Sequence, residues 1–199
     1  MERPMPRVIP HEAMQFLRGA LGDDGAIGIA VEGVDQTPAG PRVRFVVPRL
    51  RRARVDPQRV PDRDSISELV SRMVAMRWRY GAAPRPVPVE SGLVLMETHP
   101  EIYSGPTETG DGWHWLLATV AEWIKEGGVP AEWQDEQVKE KYGTLRFYAS
   151  GVDGRTARIL AGAEWVSGAV CETCGAPGRT QASGWVRTAC DAHAETHRG

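Results

Sequence analysis

Three cysteines and one histidine near the C-terminal end constrain the fold of this chain more than any other feature. Cys171 and Cys174 form a C-x-x-C pair, and Cys190 and His193 form a second pair with the same spacing. Structural zinc ions take four thiolate or imidazole ligands in a tetrahedron, and two such pairs supply all four. The sequence therefore predicts one structural Zn²⁺ ion bound by these four residues.

The segment between the two pairs is long enough for a short hairpin that turns at Ser183-Gly184. Because Cys190 and His193 are three residues apart, a helix would place both side chains on one face. A knuckle, a hairpin and a ligand-bearing helix together make a treble clef. His197, one turn beyond His193, is a second candidate for the fourth ligand.

The full ligand set argues against catalysis at this site. A catalytic zinc ion usually keeps one coordination position open for water, and four protein ligands close that position. The rest of the sequence offers no Ser-His-Asp or Cys-His nucleophile pattern and no phosphate-binding loop of the Lys-Ser/Thr type. We therefore expect a protein that is not an enzyme, and a metalloenzyme is kept as an alternative.

Apolar periodicity predicts an α+β fold that begins with an α-β-β-α-β module in residues 1–100. The predicted elements in this module are a helix over 11–21, strands over 26–31 and 42–47, a helix over 65–80 and a strand over 93–96. Ser65 and Glu68 fit a capping box at the start of the second helix.

The second half of the chain predicts two further modules. Residues 101–168 read as helix-strand-helix, and residues 169–199 as the treble-clef zinc module. The first helix follows Asp111, a capping residue, and the strand begins at about Thr144. A second helix is predicted over 155–167.

The charge of the chain is close to balanced, with 24 Lys+Arg and 26 Asp+Glu. Its densest cationic segment is the loop 49–63, where Arg49, Arg51, Arg52 and Arg54 are candidates for contacts with nucleic-acid phosphates. Aspartates dilute this run, so a solvated loop is the other interpretation.

No apolar run approaches the ~20 residues that span a bilayer, and the first residues lack the apolar core of a signal peptide. An odd number of cysteines does not indicate a disulfide framework. We therefore expect a soluble protein of the cytoplasm with no membrane partner.

Seven tryptophans are a large number for this length. Trp113 falls on the apolar face of its predicted helix, whereas Trp115 and Trp123 fall outside it. Tryptophan is enriched at the hot spots of protein interfaces, so these two side chains are candidates for contact with a partner. Packing inside the chain is the alternative.

Three motifs carry a resemblance over residues 110–193. They are Gly-Asp-Gly-Trp at 110–113, Val-Lys-Glu-Lys-Tyr-Gly-Thr-Leu-Arg-Phe-Tyr at 138–148, and the Cys/His pattern with its intervening glycines and Trp185. This region resembles a group of small uncharacterised proteins of tailed phages and of bacterial genomes that carry prophages.

The resemblance implies the zinc ligands but no established activity. Small phage proteins without catalytic signatures often bind and block a host machine, so it also implies a host or phage protein complex as partner, in the cytoplasm of the host cell. Inhibition of a bacterial defence complex, as by an anti-CRISPR protein, is one such hypothesis. Nucleic-acid binding through the arginine-rich loop is the alternative.

Overall fold

The computed structural model describes residues 8–49, 62–79, 82–181 and 185–194. The helices are α1 (Val8–Gly25), α2 (Arg63–Arg77), α3 (Ser91–Thr98), α4 (His114–Glu126), α5 (Gly154–Ser167) and α6 (Asp191–Ala194). The strands are β1 (Ala30–Thr37), β2 (Gly40–Val46), β3 (Gln134–Lys141), β4 (Thr144–Ser150), β5 (Arg179–Gln181) and β6 (Arg187–Ala189). The predicted α+β class is confirmed at this level.

Each sheet in the described part of the chain is a two-stranded antiparallel hairpin, β1–β2, β3–β4 or β5–β6. Two strands cannot bury an apolar face alone, so the helices must supply the rest of the core. Helix α2 packs against α1, α4, α5 and β2, which makes it the central element. No helix in the described ranges has the length and apolar character needed to cross a bilayer.

One buried apolar cluster extends through the molecule from Ile9 in α1 to Val170, just before the first cysteine. It includes Leu69 of α2 and Trp113, both fully buried. The cluster draws residues from all three of the segments that the sequence divided into modules. The metal-binding segment, which we define as residues 169–194, therefore continues directly from the core.

The start of α2 differs from the predicted capping box. Asp62 is the N-cap, and its carboxylate accepts a hydrogen bond of 2.6 Å from the Ser65 backbone N–H. Glu68 instead accepts hydrogen bonds from Arg42 of β2 and Arg72 of α2. A long-range ion pair therefore takes the carboxylate that the local pattern assigned to the cap.

The predicted strand over 93–96 is wrong, because these residues lie in helix α3. Ser91, Leu95 and His99 are buried at four-residue spacing, whereas Leu93 is 40% exposed. This is the periodicity of a helix. Two of the three buried positions are polar, so the apolar run alone did not reveal it.

The β strands also differ from the prediction at two places. Strand β1 begins at Ala30 rather than at Ala26, which packs with Leu17 and Ile29 in a small separate cluster. Strand β3 was not predicted, because Val138 is its one fully buried residue and its other side chains are polar. Its pairing with β4, in which Val138 lies opposite Phe147, defines it as a strand.

Candidate metal centre

The four predicted ligands lie together in the metal-binding segment. Their ligand atoms are all within 4.8 Å of one another. The Sγ atoms of Cys174 and Cys190 are 3.7 Å apart, and His193 Nδ1 is 3.4 Å from Cys171 Sγ and 3.2 Å from Cys190 Sγ. Cys171 is buried and the other three are half-buried. This cluster can hold a metal ion.

Local backbone hydrogen bonds place the two pairs. The first pair sits on a tight turn closed by a 2.9 Å bond from Gly175 N–H to the Cys171 carbonyl. The second pair spans the first turn of α6, where the Cys190 carbonyl accepts from His193 and Ala194. Hairpin β5–β6 joins the two pairs and brings them face to face.

The cysteines influence one another strongly. Burial disfavours the Cys171 thiolate, but hydrogen bonds from backbone N–H groups, those of Cys190 and Cys174 first, outweigh burial and lower the pKa of this thiol from 9.0 to about 7. Burial and the neighbouring Cys171 thiolate raise the pKa of Cys174 to about 12. A cation between the sulfurs removes this repulsion, because metal ions bind cysteine as the thiolate.

The Gly-Asp-Gly-Trp motif holds the first cysteine pair against the core. Gly112 N–H donates to the Glu172 carbonyl at 2.8 Å, and Trp113 Nε1 donates to the Val170 carbonyl at 2.9 Å. A Cβ atom at Gly112 would overlap the carbonyl oxygen of Cys171. Glycine is therefore required here for the close approach of two backbones.

A buried ion pair provides a second anchor. Arg77, at the end of α2, donates to Glu12 of α1 at 3.0 Å and to the Cys174 carbonyl at 3.1 Å. Trp78 Nε1 donates to the same Glu12 carboxylate at 2.9 Å. Helices α1 and α2 are thereby connected to the metal cluster through one guanidinium group.

The turn between β3 and β4 is the third anchor. Thr188 Oγ1 of β6 donates to the Gly143 carbonyl at 2.6 Å, and Thr188 N–H donates to the Glu172 carboxylate at 2.6 Å. Residues from all three motifs of the resemblance therefore contact one another around the cluster.

The structure places the other predicted site residues in different environments. Trp115 is 4% exposed beneath the guanidinium of Arg85, and Trp123 is half-buried beside Arg72. Arginines from neighbouring elements therefore pack on both rings. Arg49 is exposed. Arg51, Arg52, Arg54 and His197 lie outside the described residues.

Sequence reasoning missed a cationic and aromatic face on hairpin β3–β4. We call this face the hairpin surface and define it by Lys139, Lys141, Tyr142, Arg146 and Tyr148. Lys139 lies directly opposite Arg146, and within the described residues no carboxylate forms an ion pair with either cation. The signal in the sequence was that Lys139 and Lys141 on β3, and Arg146 and Tyr148 on β4, occur at every second position of their strands.

Comparison of the chain with protein families, with curated proteins and with solved structures finds no match.

Proposed function

We propose that this chain is a non-catalytic, zinc-stabilised protein that binds a macromolecular partner in the cytoplasm, and that the partner is a protein with an acidic surface. The observation that carries the proposal is the hairpin surface. It presents exposed aromatic rings beside the Cys/His cluster, and its cations form no ion pair with a carboxylate among the described residues. A metal ion contributes by fixing the elements behind this surface.

The ligand distances support zinc. Zn–S bonds of about 2.3 Å and Zn–N bonds of about 2.0–2.1 Å imply tetrahedral S···S and S···N separations of about 3.8 and 3.6 Å. The corresponding distances in this cluster are 3.7 Å for sulfur to sulfur and 3.2 and 3.4 Å for sulfur to nitrogen. Knuckle, hairpin and α6 fit a treble clef, and four protein ligands suit a structural ion.

The exposure of the aromatic rings supports a binding role. Tyr142 is 69% exposed at the tip of the hairpin and Tyr148 is 42% exposed. Beyond β5, Trp185 is 79% exposed and Trp165 of α5 is 42% exposed. Tyrosine, tryptophan and arginine are the residues that dominate interface energies. Trp165 shares a shallow surface pocket with Thr144 and Arg146, so it lies beside the hairpin surface.

The turn itself is costly for a tyrosine. Tyr142 and Gly143 have φ angles of 54° and 73°, the left-handed pair required by a two-residue type I′ turn. Asparagine, aspartate or glycine fits the first position with less strain than tyrosine does. An exposed aromatic side chain held in this conformation supports a role for the ring in binding.

Charge indicates the chemistry of the partner. Like charges directly opposite each other on a hairpin destabilise it, so the Lys139–Arg146 pair works against folding unless an anion contacts both. Acidic side chains of a protein partner would supply that charge. The resemblance to phage proteins makes a host complex, such as a bacterial defence complex, the first class of partner to test.

The test is capture of a partner that depends on this surface. Zinc-loaded protein and the variants Lys139→Gln/Arg146→Gln and Tyr142→Ala are used as baits in a host lysate. Arg44→Gln is the matched control, since Arg44 is an exposed cation on the other large hairpin. We expect a partner to be retained by wild type and control and lost by the two surface variants. A partner insensitive to these changes, or no partner, contradicts the proposal.

A second candidate function is binding of single-stranded nucleic acid by the same surface. Lys139 Nζ and Lys141 Nζ each lie 5.7 Å from a tyrosine ring centroid, of Tyr148 and Tyr142 respectively. Cations interleaved with stacking rings are typical of such sites. The affinity for a labelled oligonucleotide would then fall with salt by a log–log slope of about −0.7 per phosphate contacted.

Variants separate the two nucleic-acid surfaces that the chain offers. A shallower dependence of log affinity on log salt in Lys139→Gln/Arg146→Gln assigns binding to the hairpin surface. The same change in the Arg51, Arg52 and Arg54 variants assigns it to loop 49–63.

A metalloenzyme is the third candidate and requires a zinc ion with an exchangeable water. A four-ligand Cys₃His signal in X-ray absorption would dismiss it.

A further inference from the structure

A cleft of about 730 Å³ lies between helices α2, α3 and α4, beside the β1–β2 turn. Its volume is within the range of ligand pockets, about 300–1,000 Å³. Apolar side chains that include Ala75, Met76 and Ala118 form much of its wall. The metal ligands do not line it, so it is a site distinct from the cluster.

The cleft contains a buried donor without a partner. Trp115 lines the cleft and is 4% exposed, and its Nε1 has no hydrogen-bond partner among the described residues. Buried side-chain polar atoms are satisfied in the large majority of cases, so this indole N–H is available to an acceptor that the described residues do not supply.

His114 supplies a second donor in the same wall. It is 5% exposed, and its Nδ1 is 2.9 Å from the hydroxyl of fully buried Ser91. The Ser91 hydroxyl forms no other hydrogen bond in the described structure, so we assign the hydroxyl as donor and Nδ1 as acceptor. The proton of the neutral ring is then on Nε2, and the ring can donate to a ligand.

Positive charge lies beside these two donors. The Arg85 guanidinium is 4.0 Å from the centroid of the Trp115 ring, and the Trp115 and His114 ring centroids are 4.5 Å apart. Arg79, also in the cleft wall, is exposed. Burial, and then the charge of Arg85, lower the pKa of His114 from 6.5 to about 4, so the ring stays neutral at pH 7.

The carboxylates of the cleft have other partners. Glu126 pairs with Arg72, and Glu122 lies 3.2 Å from His99 Nδ1 and 3.6 Å from Lys125 Nζ. Each of these carboxylates therefore has a cation beside it, Arg72 or Lys125. The Trp115 and His114 rings offer donors, and the Arg85 guanidinium, which also donates to the Met76 carbonyl at 3.4 Å, adds a positive charge. Such a set recognises an anion.

We propose that the cleft between α2, α3 and α4 binds a small organic anion, a carboxylate or phosphate on a compact apolar body, through Trp115, His114 and Arg85. Arg85 covers the Trp115 ring and provides the charge. The apolar wall contacts the body of the ligand. This site is independent of the hairpin surface and of the partner proposed for it.

The experiment follows the indole N–H of Trp115 by NMR in the zinc-loaded full chain. Trp115→Phe identifies the resonance. Benzoate and phenyl phosphate are the probes, inorganic phosphate tests the anion alone, and benzamide is the neutral control. We expect at least one organic anion to shift the resonance saturably with a Kd of about 1 mM or tighter, and benzamide to bind at least about tenfold more weakly.

Charge and position are tested by three variants. Arg85→Gln should weaken the anion about tenfold or more, because it loses a charge-assisted bond. Arg85→Lys keeps the charge and should weaken it less, and Arg158→Gln removes an exposed cation outside the cleft and should leave it unchanged. The proposal fails if neither benzoate nor phenyl phosphate shifts the resonance at concentrations up to about 10 mM. It also fails if the Kd of benzamide is less than about tenfold weaker than that of the better organic anion. It also fails if a folded Arg85→Gln or Arg85→Lys variant equals wild type.

Discussion

The metal cluster and the cleft both gather polar side chains inside the molecule, but they differ in whether the chain itself satisfies them. Around the cluster, Trp113 Nε1 donates to the Val170 carbonyl. In the cleft, two residues further along the same segment, Trp115 Nε1 has no partner in the described structure. A group that is satisfied internally stabilises the fold, whereas one left unpaired is available to a ligand.

The two regions also differ in how far apart their residues lie in the sequence. The ligands of the cluster occur within Cys171–His193, and two short turns bring them together. The cleft is lined by residues from Pro38 to Glu126, which meet only after α2, α3 and α4 have packed. The cluster is therefore visible as a motif, and the cleft is not.

Loss of the proposed zinc ion should disturb the molecule more than any substitution in the core or the cleft. Zinc binding contributes about 10–16 kcal/mol to folding in small zinc modules. We expect Cys190→Ser or a strong chelator to abolish hydrogen-exchange protection in β5, β6 and α6 while α2 and α4 stay protected. Thr173→Ala, an exposed change between the first two ligands, should retain metal and protection. Unchanged protection after chelation would show that the metal does not hold this segment.

Gly112→Ala tests the contact between the cluster and the core. The added methyl group would overlap the Cys171 carbonyl, and no flexible side chain can move to relieve it. We expect the free energy of unfolding to fall by about 3 kcal/mol, measured by chemical denaturation. At Gly105 a Cβ meets no atom within 4 Å, so Gly105→Ala is the control and should change stability by less than about 1 kcal/mol.

Some elements of the fold follow from the sequence because local signals and packing agree. Helix α5 has Asp153 as its N-cap and a clear apolar face, and it was predicted within one residue at its N-terminal end. Hairpin β5–β6 and the start of α6 after Cys190 agree with the expected spacing between ligands. In these segments, neighbours in the sequence determine the structure.

Other features depend on partners that are distant in the sequence. Helix α3 buries Ser91 and His99, polar residues that a hydropathy pattern assigns to the surface. Strand β3 exists through its pairing with β4. Trp115 falls outside the apolar stripe of α4, and Arg85 from the loop before α3 covers it. Residues close in the sequence do not indicate any of these contacts.

Paired substitutions of tryptophan sharpen the comparison between cluster and cleft. Trp113→Phe removes the donor to the Val170 carbonyl and leaves a cavity in the core, so we expect a loss of about 3 kcal/mol. Trp115→Phe removes an N–H that has no described partner, so its cost should be about 1 kcal/mol. Chemical denaturation should therefore show that Trp113→Phe costs about 2 kcal/mol more than Trp115→Phe. Equal costs would mean that the Trp115 N–H has a hydrogen-bond partner in the folded chain, as the Trp113 N–H does.

The smallest predicted effect is a dependence of stability on pH that comes from His114. Burial lowers its folded-state pKa from 6.5 to about 4. Above pH 6.5 the His114 ring is mainly neutral in both the folded and the unfolded chain, so it causes no loss of stability there. Between pH 6.5 and about 4 the unfolded chain binds a proton that the folded chain does not, so stability falls as the pH decreases.

A difference measurement isolates this contribution, because His99, whose pKa burial also lowers, and the metal ligands respond to acid in the same range. We expect His114→Gln to be less sensitive to pH than wild type by about 1–2 kcal/mol between pH 6.5 and 4, a value reduced for partial contact with solvent. His11→Gln changes an exposed histidine and should keep the wild-type profile. Identical profiles for His114→Gln and wild type would mean that His114 is hydrated in the folded chain. The cleft would then be an open polar surface, and its contrast with the closed metal cluster would disappear.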